Sequence, residues 1–534
     1  MNTKRNIGTI ALLGGSTAAL AMLTGVAGAR ADDLKVNQQL LSDRLDQLAA
    51  VGLQPGAGAY LGVDQNKVAG APVAAGSFPR SFLIPGTETS IKIYGQITEI
   101  LDYWMSGGNP NATPQSTTVG NNGQVAAIPL RTNLAATGAT ANVASSRGNG
   151  IFLQSPRESK IGFETRTPTA LCEARTVMEF DWAGSNAFSP GGADPTSVSD
   201  NLAPRLRYAY GTLGGFLAGQ ATSNFSDSDA NQETLDFGGN VGNPGVVRIP
   251  QVRYTMPLGI GSFSVSAETP ETDMAAPAGS FASDAGVIPV VTTSCTIATL
   301  NVATNCTSAL VTTGRFALNP AKATAPDLTM AYYIPQPWGH FDISAVIRPG
   351  LDVQDGKFIS RTFVGYGGHI GFDIKPGWFG WTRDDIAFHI VAGQGLGRYL
   401  NQSGNFALET NFTASQTSAL LANNVIIHPT TEWGGNIGYQ HWWTGNLRSN
   451  ISYGINRNDI RSQLVGTPVA GVGQFAGSGA NVLNKELMTA HVNLIWNPVS
   501  FIDVGVEYVW GQRQVVNNQS ATENVLISKL NFKF

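Results

Sequence analysis

Charge and long apolar runs are both scarce in this chain of 534 residues. Charged residues make up 13% and hydrophobic residues 42%, too little charge and too much apolar content for a disordered chain. Beyond the N-terminus, no uncharged apolar run approaches the roughly 20 residues that a membrane-spanning helix needs, which excludes a helical membrane domain. A β-barrel remains compatible with the mean hydropathy of -0.02, because only alternate residues of its strands meet lipid.

Signatures of catalysis, metal binding and nucleic-acid binding are also lacking. Neither an HExxH motif nor a nucleophile elbow surrounds the six histidines, which are His340, His369, His389, His428, His441 and His491. The net charge of -4 does not indicate the excess of basic residues that is typical of nucleic-acid-binding proteins. We therefore expect no enzyme, no catalytic or metal-binding residues and no cofactor. A hydrolase whose catalytic groups come from separate strands is a minor alternative.

Cysteine occurs three times. Cys295 and Cys306 lie close together in a polar, Thr-rich stretch, whereas Cys172 stands alone, and none has metal-ligand spacing. In an exported protein we expect a disulfide between Cys295 and Cys306, with two free thiols as the alternative.

The N-terminus has the pattern of an export signal. Lys4 and Arg5 precede an uncharged stretch that ends at small residues, Ala29 and Ala31. This predicts a secretory signal peptide over residues 1–31, cleaved after Ala31 or Ala29, with a retained membrane anchor as the alternative.

A short helical segment and a linker are predicted next. Residues 32–51 carry an apolar stripe at helical spacing, formed by Leu34, Leu41, Leu45 and Leu48. The stripe could form a trimeric coiled coil at the periplasmic entrance or belong to a single short helix. Residues 52–88 follow as a linker rich in Gly, Ala and Pro.

From Ser90 onward apolar residues recur at every second position, which is typical of strands with one face towards water. We predict an all-β transmembrane fold, a 16-stranded antiparallel outer-membrane β-barrel over residues 89–534. The strands start near Ser90 and then lie near 151–167, 171–184, 203–212, 214–224, 247–257, 260–269, 326–335, 338–349, 359–375, 383–395, 431–443, 445–457, 485–497, 500–513 and 522–534.

The predicted connections alternate between short and long. The short ones read TPTA, GTLG, PLGI, IPQPWG, KPGWFGW, WTGN and NPVS, and the long ones span 105–149, 185–202, 225–246, 270–325, 396–430 and 458–484. Outer-membrane barrels have tight periplasmic turns and long external loops, whereas a soluble sandwich has no reason to sort them. The chain ends inside its last strand at Phe534, which suits a barrel that closes by pairing its ends.

Selectivity in a water-filled barrel comes from charges that face the lumen. Strand parity places eight charged residues towards water: Lys92, Glu158, Lys160, Arg175, Arg205, Arg207, Arg253 and Arg348. Arg205 and Arg207 flank Leu206 in a strand whose outward side chains are predicted to be Leu206, Tyr208 and Tyr210. We predict that this pair forms a basic wall. The alternative for each charge is a position away from the constriction.

The connection after the fifth predicted strand, SNFSDSDANQETLDFGGNVGNPG, occupies the place where general porins fold a loop into the barrel. Its acids Asp227, Asp229, Glu233 and Asp236 could face the arginine wall, and opposed charges would orient dipolar solutes in the constriction. An exposed acidic loop or a cation site is the alternative, although the spacing of an EF-hand loop is absent.

These features predict a porin in the outer membrane of a Gram-negative bacterium, with membrane lipid outside and small hydrophilic solutes inside. A surface-binding or adhesin-type barrel, with residues 270–325 as its binding element, is the alternative.

Five segments of the chain resemble the DcaP-like porins. They read SFLIPGTETSIKIYGQI, SPRESKIGFETRTPT, LRYAYGTLGGFLAGQATSNFSD, ETLDFGG and QVRYTMPLG, and the resemblance is strongest over residues 80–260. It implies a homotrimer of sixteen-stranded channels with an N-terminal helix as the trimer stalk. It also implies passive uptake of small organic anions such as dicarboxylates.

Overall fold

The computed structural model describes residues 75–107, 125, 128, 150–184, 202–244, 247–272, 274–275, 290–295, 306–311, 321–354, 360–400, 407–410, 427–460, 484–516 and 518–534. The predicted signal peptide, the helical segment 32–51 and the linker up to residue 74 lie outside these ranges. Two single turns, Trp378–Gly380 and Gly397–Leu400, are the helices of the described part. Neither is long and apolar enough to cross a membrane.

Sixteen antiparallel strands form a closed barrel, which confirms the predicted fold class. In chain order they are β1 (Ser90–Ser106), β2 (Ile151–Ser155 and Lys160–Pro168), β3 (Glu173–Gly184), β4 (Ala203–Leu213), β5 (Phe216–Thr222), β6 (Arg248–Leu258), β7 (Gly261–Glu268), β8 (Asp327–Gln336), β9 (Gly339–Gln354), β10 (Ser360–Ile374), β11 (Asp385–Gln394), β12 (Thr431–Trp442), β13 (Leu447–Asp459), β14 (Asn484–Val499), β15 (Ile502–Val515) and β16 (Ser520–Lys533). Each strand pairs with its neighbours in the chain, and β1 also pairs with β16, so the sheet has no free edge.

Side chains alternate between an apolar outer face and a polar inner face. On β3, Met178 and Trp182 are 47% and 43% exposed on the outside, whereas the intervening Glu179 and Asp181 are buried on the inside. On β15, Val506 and Tyr508 face out and Glu507 faces in. Charged groups are costly against hydrocarbon, so this alternation sets which face of each strand meets lipid.

Tight turns join the strands at one end of the barrel. Leu213 pairs with Phe216, and Leu258 pairs with Gly261, so only two residues connect each of these hairpins. The first turn residue, Gly214 or Gly259, has a φ of 58°, in the left-handed region that such turns require and glycine adopts without strain. The long connections all join the strands at the opposite end, as predicted.

The described part of the linker, residues 75–88, folds back onto the start of β1. Phe82 and Leu83 pair with Ile91 and Ser90. Phe78 is buried, and the Arg166 guanidinium lies 4.5 Å from its ring centroid. Because Arg166 is an inward residue of β2, this contact brings the segment to the periplasmic mouth of the barrel.

Several short strands lie within the long connections. Val290–Cys295 and Cys306–Val311 form an antiparallel hairpin in which Cys295 lies directly opposite Cys306. Ala321–Ala323 pairs with β9, and Met274–Ala275, Leu408–Thr410 and Ile427–Pro429 form a small separate sheet. The backbone register is compatible with the predicted disulfide, which stays a prediction.

Candidate functional site in the barrel lumen

The connection between β5 and β6 runs along the inner face of the barrel. We call residues 223–244 the lumen segment. Its hydrogen bonds reach four distant strands through the pairs Ser344 Oγ to Phe225 O (2.8 Å), Gln232 Nε2 to Ala387 O (3.2 Å), Asn240 Nδ2 to Ser452 Oγ (2.8 Å) and Val241 N to Thr489 Oγ1 (3.1 Å). The segment therefore lies against β9, β11, β13 and β14.

Glu507 of β15 fixes the middle of the lumen segment. Its two carboxylate oxygens accept the backbone amides of Leu235 (2.8 Å) and Asp236 (3.0 Å). They also contact His491 Nδ1 (3.0 Å) and accept from Asn493 Nδ2 (2.8 Å). A buried carboxylate with this many donors is well satisfied, and each charged hydrogen bond is stronger than a neutral one.

Two acids of the lumen segment, Asp227 and Glu233, contact side chains of β9 and β13 instead of the arginine pair. Asp227 lies 2.6 Å from His340 Nε2 on β9. Glu233 accepts from Arg448 on β13, with oxygen-to-nitrogen distances of 2.5 and 2.6 Å. Asp236 is buried, and Asp229 lies near Tyr333, 3.5 Å from its hydroxyl. The expectation that all four acids face Arg205 and Arg207 does not match this arrangement.

Arg205 and Arg207 lie together on the lumen side of β4. Arg205 donates from Nε (3.0 Å) and Nη2 (2.6 Å) to Asp181, and Arg207 donates to Glu179 (2.6 Å) and Asp181 (2.7 Å). Phe237 of the lumen segment reaches this pair, and its ring centroid lies 5.4 Å and 5.8 Å from the two guanidinium carbons. The segment thus extends from β15 to β4.

The predicted outward orientation of Tyr208 and Tyr210 is wrong. The register between β3 and β4 shifts by one residue, so that Phe180 pairs with Leu206 but Glu179 pairs with Tyr208. Directly opposite residues share a face, so Tyr208 and Tyr210 point inward, and Arg175 donates to the Tyr210 hydroxyl at 3.3 Å. The β-bulge adds one residue to the strand and reverses its alternation from Tyr208 onward.

In the ion pairs on the inner face of β2 to β4, the cation is the more exposed partner in all cases but one. The Arg205 side chain is 41% exposed and that of Asp181 is fully buried. Arg175 is 20% exposed and Glu164, which accepts from it at 2.7 Å, is 10% exposed. Glu173 at the periplasmic end, 36% exposed against 19% for Arg166, is an exception. The lumen surface of β2 to β4 consequently presents more positive than negative charge to water.

The remaining predicted site residues fall into two groups. Lys160 and Arg253 are inward-facing and partly exposed, and Lys92 is buried opposite Glu164. Glu158 is buried in an ion pair with Lys529 of β16, at 2.6 Å. Arg348 points inward but is fully buried, which differs from its predicted contact with water. It donates to Asp327 (3.2 Å) and to the carbonyls of Gly395 and Leu396 (both 2.8 Å), so it holds the base of an external connection.

Sequence reasoning missed several residues of this lumen wall. Strand parity could have found Arg166, which is inward and bonded to Glu164 at 2.9 Å. Arg248 lies over the Tyr208 ring at 5.1 Å, a contact that depends on the bulge. Nothing local marks Phe237 or its anchor Glu507, because 270 or so residues separate them in the chain. Within the described ranges, no group of three or more His, Cys, Asp or Glu residues is arranged to hold a metal ion.

Comparison with known proteins agrees with this architecture. A family model described as the porin subfamily matches residues 80–444. No curated protein matches the chain. The structure of the outer membrane channel DcaP of Acinetobacter baumannii is similar, with a TM-score of 0.57 and 20% identity over 86% of this chain and 100% of that chain.

Two further solved outer-membrane structures give lower similarity. OmpT of Vibrio cholerae has a TM-score of 0.42 and 8% identity over 85% of this chain and 100% of its own. An anion-selective porin from Comamonas acidovorans has a TM-score of 0.41 and 7% identity over 84% of this chain and 100% of its own. At such identities the likeness to DcaP is a likeness of fold.

Proposed function

This chain belongs to the porin family of Gram-negative outer-membrane channels, and we propose that it passes small hydrophilic anions, dicarboxylates among them, by passive diffusion. The observation that carries the proposal is the exposure difference in the lumen wall. Arg175, Arg205 and Arg207 meet the lumen more than the carboxylates that pair with them. Along β2 to β4, an anion therefore meets guanidinium groups before it meets carboxylates, and a cation is repelled.

The lumen segment covers the opposite part of the inner surface. It contacts β9, β11, β13 and β14, and its acids Asp227 and Glu233 pair there with His340 and Arg448. Glu233 is the more exposed partner of its pair, at 39% against 5% for Arg448. The path left for solutes runs beside the arginine-bearing strands. Closely spaced cations such as Arg205 and Arg207 suit a solute with two carboxylates, and the resemblance to DcaP-like porins supports the same class.

Single-channel recording in planar bilayers tests this function. We expect large conductance steps in salt and a reversal potential that reports anion preference. In the double variant R205A/R207A the buried Asp181 and Glu179 lose their partners and face the lumen, so the reversal potential should move towards cation preference. Folded protein without conductance would contradict the porin function, and unchanged selectivity would contradict the role of the pair.

Matched variants separate charge from packing. R205K/R207K keeps both positive charges and should keep the anion preference. Arg457→Ala removes an arginine that is 40% exposed, close to the 41% of Arg205, but lies on the outer face of β13. It should leave the reversal potential unchanged, since its charge does not reach the lumen.

We also propose that the chain is exported by its N-terminal signal, assembles as a homotrimer and forms the Cys295–Cys306 disulfide. The sequence pattern of residues 1–31, the family resemblance and the opposed cysteines support these assignments. Native mass spectrometry of thiol-labelled protein tests them together. We expect a trimer whose subunits begin after Ala29 or Ala31 and carry one label, on Cys172, without reduction. A monomer, a retained N-terminus or three labels per subunit would each contradict one assignment.

A further inference from the structure

We infer that Phe237 is a specificity-determining residue of the channel, because its ring lies against both guanidinium groups of the arginine pair and so controls which anions reach them. The ring centroid lies 5.4 Å from the guanidinium carbon of Arg205 and 5.8 Å from that of Arg207. Both distances are within the roughly 6 Å over which a cation is attracted to an aromatic face. The inference rests on the proposed function, since it concerns anions that pass this pair.

The position of Phe237 is built into the lumen segment. Thr234 Oγ1 (3.0 Å) and Gly239 N (3.2 Å) both donate to the carbonyl of Asp236 and close a turn around the phenylalanine. Gly239 has a φ of 67°, which glycine adopts without strain. The two residues before Phe237 are held by Glu507, and Lys529 Nζ donates to Leu235 O at 3.2 Å. Glu507 is therefore a positioning residue for the ring.

The arginine pair leaves its guanidinium faces as the surface open to a ring. Asp181 and Glu179 accept hydrogen bonds from the edges of both guanidinium groups. Edge contacts in the guanidinium plane and stacking on its face are compatible, so one arginine can make both. In the native channel the Phe237 ring lies within cation–π distance of both guanidinium groups. A solute ring can stack on these groups only where it displaces Phe237.

Aromatic carboxylates are the class of anion that can compete with Phe237. Such a molecule brings a ring that can stack on the guanidinium faces and a negative charge that is attracted to the lumen wall. An aliphatic carboxylate of similar size brings the charge alone. The Phe237 ring therefore hinders the binding of aromatic anions more than that of small aliphatic ones. Its removal should expose a site that binds aromatic anions preferentially.

Block of chloride current by benzoate and by cyclohexanecarboxylate tests the inference. Both probes carry one negative charge and a six-membered ring, but only benzoate is aromatic. In the native channel we expect the two to block to a similar degree. In Phe237→Ala we expect higher chloride conductance, and block by benzoate at about fivefold lower concentration than by cyclohexanecarboxylate, as one added cation–π contact implies.

Two further variants separate ring chemistry from volume. Phe237→Leu keeps most of the bulk but removes the π face, so it should keep near-native conductance and still acquire the benzoate preference. Glu507→Gln keeps Phe237 but weakens its anchor, and should shift the ratio of the two blocking concentrations in the same direction by less. Equal block by both probes in Phe237→Ala and Phe237→Leu would overturn the inference. If the native channel is anion-selective but both variants show equal block, only the inference about Phe237 is contradicted. If the native protein does not conduct, the proposed function itself is contradicted.

Discussion

A chain that ends at Gln519, and so lacks β16, is expected not to form a barrel at all. In the native protein β16 pairs along nearly its whole length with both β15 and β1. Its loss leaves two strands with unpaired backbone amides and carbonyls. In hydrocarbon each unpaired backbone group costs several kcal/mol of folding free energy. A loop that is exposed to lipid cannot compensate for this cost, because its own backbone groups would be unpaired as well. We expect no heat-modifiable band in cold SDS electrophoresis and no β-sheet circular dichroism in detergent.

Phe534→Ala is the matched control for this truncation. Phe534 exchanges two backbone hydrogen bonds with Gly95, both at 3.1 Å, and these do not depend on its side chain. The purified variant should therefore refold and keep its heat-modifiable band. A truncated chain that showed this band would mean that the remaining fifteen strands close without β16, contrary to the pairing described above.

Replacement of residues 224–246 by a short Gly-Ser turn is expected to raise the single-channel conductance several-fold. The ends of this segment already lie together, because Ser223 N donates to Val247 O at 2.9 Å, so a short turn can join β5 to β6. The barrel strands pair through their own backbones and should still fold. The inward groups that held the segment, such as Glu507 and His340, would be hydrated by the lumen water.

The same replacement should weaken ion selectivity. A wider lumen lets ions pass further from Arg205 and Arg207, and at about 0.1 M salt charges are screened beyond about 10 Å. Ser228→Ala changes one exposed residue of the segment and serves as the control, for which we expect native conductance. Native conductance in the replacement variant would mean that the lumen segment does not narrow the conducting path.

Much of the barrel could be predicted from the sequence because its signals are local. Outward residues such as Met178 and Trp182 meet lipid, inward residues such as Asp181 meet polar surroundings, and this contrast repeats every second residue. Turn chemistry is local too, as at Gly214, where a two-residue hairpin needs a left-handed residue. The lumen direction of Arg205 and Arg207 follows from the same parity.

The arrangement of the lumen could not be predicted, because it depends on residues far apart in the chain. The bulge in β4 turns Tyr208 and Tyr210 inward, and one extra residue in a strand leaves no mark in an alternating pattern. The acids of the lumen segment were expected opposite the arginines. Asp227 and Glu233 contact His340 and Arg448 instead, more than 100 residues away in the chain.

By itself, the sequence determined that the chain makes a sixteen-stranded barrel, which end carries the turns and which face of most strands is wet, since the contrast between lipid and water acts on each strand separately. Only the tertiary structure decided what that wet face does. It buried Arg348 under an external connection, left Arg205 partly exposed, and brought Phe237 onto the arginine pair through Glu507. Barrel closure sets these contacts, because it brings strands together that share no local pattern.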